Sequence, residues 1–67
     1  MDATLEDARA RYQVAYESYR VRAARIAQAV SAGGQASDED IKAEERALSE
    51  LTTARRRLLD AIATRGG

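Results

Sequence analysis

Paired glycines at positions 33 and 34 divide this 67-residue chain almost in half, and no proline occurs on either side of them. Glycine adopts the left-handed conformation that ends helices without a Cβ clash, so the pair reads as a stop after one helix. Ser37 then stands as an N-cap, with Asp40 three residues on in the acidic position of a capping box. Asp38, Glu39 and Asp40 fill a first turn, where the helix dipole favours anions. Asp2 or Thr4 can cap the earlier helix, and Arg20, Arg22 and Arg25 lie towards its C-terminal end, which favours cations. Gly66 and Gly67 mark a second stop. The sequence predicts an all-α chain, with one helical-hairpin domain over 1–67: a helix over about 4–31, a Gly-containing loop over about 32–37 and a helix over about 38–64. At 1.5 Å per residue each helix is about 40 Å long, and matched lengths with a short connection favour an antiparallel pair.

Apolar spacing supports the same reading. Leu5, Ala8, Tyr12, Tyr16, Tyr19, Ala23, Ile26 and Val30 recur at intervals of three and four, the signature of one helix face. Ile41, Leu48, Leu51, Leu58, Leu59 and Ile62 form a second stripe, with Ala47 and Ala54 along one edge. Folding the chain about its loop opposes Val30 to Ile41, Tyr19 to Leu51 and Tyr12 to Leu58. Two charges, Glu44 and Arg55, fall inside the second stripe. The hairpin register places Glu44 within reach of Arg22 or Arg25. It places Arg55 beside Tyr16, between Tyr12 and Tyr19, where a guanidinium can stack on a ring. The three tyrosines are therefore expected to pack in the apolar stripe, each with its hydroxyl near the wet rim.

Composition narrows the function. There is no cysteine or histidine, which removes thiolate chemistry, disulfides and the commonest general base and metal ligand. Eleven basic residues balance eleven acidic ones, so no net field draws the chain to nucleic acid or an anionic membrane. No serine has a histidine to activate it, and no acid pair is expected to face a cleft, so no enzyme, cofactor or metal is expected. The acidic run at 38–40 is explained by capping. Arg55, Arg56 and Arg57 point about 100° apart on a helix and do not form one patch. Asp60 is spaced to pair with Arg56 or Arg57. The chain begins without a basic region followed by an apolar run, and no stretch approaches the roughly 20 apolar residues that span a bilayer. A cytoplasmic protein without membrane contact is expected.

Fifteen of the residues are alanine, and Leu, Ile and Val together number only eleven. A monomer this small rarely buries enough area to offset its chain entropy. A homodimer forming an antiparallel four-helix bundle is therefore expected. Val14 and Val21 lie behind the first helix, on the same side as Ala3 and Ala10. Their spacing marks Val14, Val21 and Ala10 as a candidate interaction surface, rimmed by Asp7 and Arg11, which are placed to pair at i, i+4.

Size and layout resemble the small plasmid copy-number RNA-binding proteins, hairpins that dimerise into four helices. That resemblance implies a fold. The Gly-containing mid-loop and the run Glu45-Arg46-Ala47-Leu48 are similar to small type III secretion needle co-chaperones, which implies a helical protein partner. The expected function is a non-catalytic protein–protein interaction or scaffold module. The alternatives are a dimeric nucleic-acid-binding regulator or a small secretion-system co-chaperone.

Overall fold

The computed structural model describes residues 3–66, with side chains described over 4–64. Helix α1 runs Ala3–Ser31 and helix α2 runs Asp38–Gly66. They pack against each other as a hairpin with principal extents of 50 × 14 × 14 Å. The expected Asp2 cap and Gly67 lie outside the described residues, and α2 runs past the expected end near 64 to include Gly66.

Local chemistry sets the turn. Gly33 has φ of 85°, in the left-handed region. Its N–H donates to the Val30 carbonyl at 3.0 Å, and the Gly34 N–H donates to the Ala29 carbonyl at 3.0 Å. These two bonds are a Schellman motif, which satisfies carbonyls that the last turn of α1 would leave unpaired. On the far side of the loop the Asp40 N–H donates to Ser37 Oγ at 3.1 Å, and the Ile41 N–H donates to the Ser37 carbonyl at 3.0 Å. Ser37 is thus the N-cap its sequence position predicts. The last turn of α1 holds no basic residue, so the dipole does not account for Arg20, Arg22 and Arg25. Arg25 is used across the loop instead: its Nε lies 3.6 Å from Asp40 Oδ1.

The packing differs from the expected meeting of two large apolar stripes. Among the described residues the buried apolar side chains are Leu5, Ala8, Ala15, Ala47 and Ala54. Four of the five are alanine, at heptad spacing on each helix. A methyl side chain lets two helix backbones approach closely, and Ala15 with Ala54 lines one side of the resulting seam. Tyr12, Tyr19, Ile26, Leu51 and Leu58 are half-buried at the shoulder of that seam. The helices are therefore rolled so that their alanine edge faces inward and their large residues face sideways.

Candidate interaction surface

Sideways rolling gives the hairpin two unlike faces. Tyr12, Tyr16, Tyr19, Ile26 and Val30 of α1 and Ile41, Leu48, Leu51, Leu58, Leu59 and Ile62 of α2 follow from the helical step as one broad apolar face. Much of it is open to solvent: Tyr16 is 47% exposed, Val30 60%, Leu48 44% and Ile62 48%. Single exposed apolar residues are ordinary on proteins. A contiguous run along a whole hairpin is a marker of an interaction site.

The tyrosines hold the middle of this face on α1. The Tyr12 and Tyr16 rings stack with centroids 6.3 Å apart and planes inclined by 24°. This is an offset pair one helical turn apart, of the kind that adds modestly to area burial. Tyr16 is exposed beside its half-buried partner. Arg55, expected to stack on these rings, is exposed, and the ring contact among the described residues is tyrosine on tyrosine. Glu44 is half-buried. The ion pair that forms between the helices is Arg25 with Asp40, one turn closer to the loop than the expected reach of Glu44.

The opposite face is shallowly grooved, with alanine and valine along the floor and polar and charged side chains at the sides. Thr4, Asp7, Arg11 and Ser18 of α1 face Glu50, Thr53, Arg57 and Asp60 of α2 along this side. Arg11 Nε donates to Asp7 Oδ2 at 2.9 Å, the pairing their spacing predicts. Val14 and Ala10 line the same groove. Val14 is 72% exposed and Val21 is exposed as well, both away from the large apolar face. Val14 and Ala10 thus share a groove with Ala15 and Ala54, and Val21 lies exposed beyond it, while the large side chains gather on the other face.

Among the described residues two ion pairs form within α1, Asp7–Arg11 and Glu17–Arg20, whereas Asp60, spaced to pair with Arg56 or Arg57, forms neither pair. Arg20 Nη2 donates to Glu17 Oε2 at 3.0 Å, with both side chains largely exposed. That hydrogen bond, and then the Glu17 charge, raise the Arg20 pKa above its already high ordinary value, so Arg20 remains cationic. Exposed pairs of this kind contribute little to stability. Of the three consecutive arginines, Arg57 lines the groove and Arg55 lies on the side of the large apolar residues. Among the described residues no group of three acidic side chains is placed to hold a metal ion, and no helix is long and apolar enough to cross a membrane.

Comparison with protein-family models, with curated proteins and with solved structures finds no match to this chain.

Proposed function

We propose that this chain is a non-catalytic, self-associating interaction module, and that its broad apolar face packs on a second copy to complete a four-helix bundle. The observation that carries this reading is the division of labour between small and large apolar residues. Alanines fill the seam within the hairpin, and the large aliphatic and aromatic side chains are left half-open on one side. A hairpin held by four alanines and one leucine gains little from burial, while a second layer would cover the Leu, Ile and Tyr set. The dimensions agree. A face set by the 50 Å and 14 Å extents offers about 700 Å² per copy, near the roughly 800 Å² that each partner buries in a stable complex.

The scaffold reading places the protein in the cytoplasm as a helical assembly unit with no cofactor. Thermal unfolding over a hundredfold range of protein concentration tests it. The midpoint should rise with concentration, as it does when folding and association are coupled. A concentration-independent midpoint would remove the reading.

A further inference from the structure

Two charges interrupt the apolar face of α2. Ile41, Leu48, Leu51, Leu58 and Ile62 recur at three and four, and Glu44 and Arg55 occupy the two remaining positions of that run. Neither has an opposite charge three or four residues away on its own helix: Glu44 is flanked at those distances by Asp40, Ile41, Ala47 and Leu48, and Arg55 by Leu51, Thr52, Leu58 and Leu59. Among the described residues, the ion pairs that form are Asp7–Arg11, Glu17–Arg20 and Arg25–Asp40, and none includes Glu44 or Arg55. The two charges lie about 16 Å apart along the helix, three turns, and so share one face without reaching each other.

Their spacing is self-complementary. A two-fold axis crossing α2 midway between them runs between Leu48 and Leu51, near the middle of the helix. Antiparallel packing of two α2 helices about that axis brings Glu44 of each copy against Arg55 of the other. The same register sets Leu48 beside the partner's Leu51 and Ile41 beside the partner's Leu58. These are the alternating layers of an antiparallel coiled coil. An interface of this type is isologous, with the same patch used twice. The other face-to-face stacking, with both loops at one end, lays α2 on the partner's α1. It sets Glu44 against the partner's Ile26, with cations in reach only beside that residue, and brings no Glu44 onto an Arg55 within the apolar face.

Building on the self-association proposed above, we infer that the occupant of the apolar face is a second copy in antiparallel orientation, loops at opposite ends, held in register by two reciprocal Glu44–Arg55 pairs. The pairs select the arrangement, and the aliphatic layers supply most of the affinity. A polar residue set in an apolar seam has this register-fixing role in other helical assemblies.

Sedimentation equilibrium on four samples tests it: the wild-type chain, Glu44→Arg, Arg55→Glu and an equimolar mixture of the two variants. The wild type should be dimeric. Each variant alone faces like charges twice across the axis, and its dissociation constant should rise at least about a hundredfold. The mixture should recover a heterodimer of near wild-type affinity, because arginine at 44 then meets glutamate at 55 and the native pair remains at the other site. Recovery on mixing also covers the case in which each variant alone is unfolded. A dimeric wild type with no recovery on mixing, or with both variants still dimeric, overturns the register while leaving self-association intact. A monomeric wild type overturns the self-association reading itself.

Discussion

Ala15 of α1 and Ala54 of α2 line the same seam between the helices, and both are buried. Their methyl groups set how closely the two backbones lie. Replacing either with leucine adds three carbons to a buried position between the helices, so Ala15→Leu or Ala54→Leu should destabilise the hairpin by about 1–3 kcal/mol. Urea unfolding monitored by circular dichroism checks this. A leucine variant at either site as stable as the wild type would mean that the helices are separated more widely than the alanine seam allows.

The membership of both apolar stripes was legible in the sequence, but their rotation was not. Periodicity weights large residues, so it points to the Tyr and Leu stripes as the surfaces that meet. Ala47 and Ala54 lie at the edge of the second stripe, Ala15 stands outside the first, and alanine carries little hydrophobic weight of its own. Its advantage is steric and appears only when two backbones are brought together. On α2 the buried alanines lie nearly one 100° helical step from the middle of the Leu and Ile stripe, enough to exchange core for shoulder. The turn was legible because its chemistry is local: Gly33, Ser37 and Asp40 act on backbone groups within a few residues. Arg25 pairs across the loop with Asp40 and not with Glu44, a choice that depends on how the helices close.

The loop should respond to substitution in a graded way. Ser37→Ala removes the acceptor for the Asp40 N–H and should cost about 1 kcal/mol. Gly33→Ala forces a Cβ into the left-handed region and should cost about 1–2 kcal/mol. Gly34→Ala should cost less, because its added Cβ meets only the Ala29 carbonyl oxygen, at 3.4 Å. Equilibrium denaturation of the three variants gives the order. A harmless Gly33→Ala would contradict the Schellman geometry.

Val14 and Val21 give a negative control for the face. Both are exposed on the side away from the large apolar residues. Replacing them together with glutamate should leave the oligomeric state unchanged and cost less than about 1 kcal/mol. Leu48→Glu, a single change on the apolar face, should raise the dissociation constant strongly. Light scattering distinguishes the two. Dissociation by the valine double variant and not by Leu48→Glu would move the interface to the back of α1.

The ion pair between Arg25 and Asp40 should be a minor contributor. The Arg25 side chain is largely exposed and the contact is 3.6 Å. Arg25→Ala should therefore cost no more than about 1 kcal/mol, and less in high salt. Thermal unfolding at two ionic strengths checks both statements. A larger loss that persists in high salt would show that Arg25 contributes packing.

Self-association through the large apolar face is the central claim, and the mass of the wild-type protein in solution tests it most directly. Sedimentation equilibrium at micromolar concentration should return twice the 7.3 kDa chain mass, with helical circular dichroism retained. A helical, cooperatively folded species of single-chain mass at the same concentration would contradict the account. It would mean that the alanine seam alone sustains the hairpin and that its apolar face stays open.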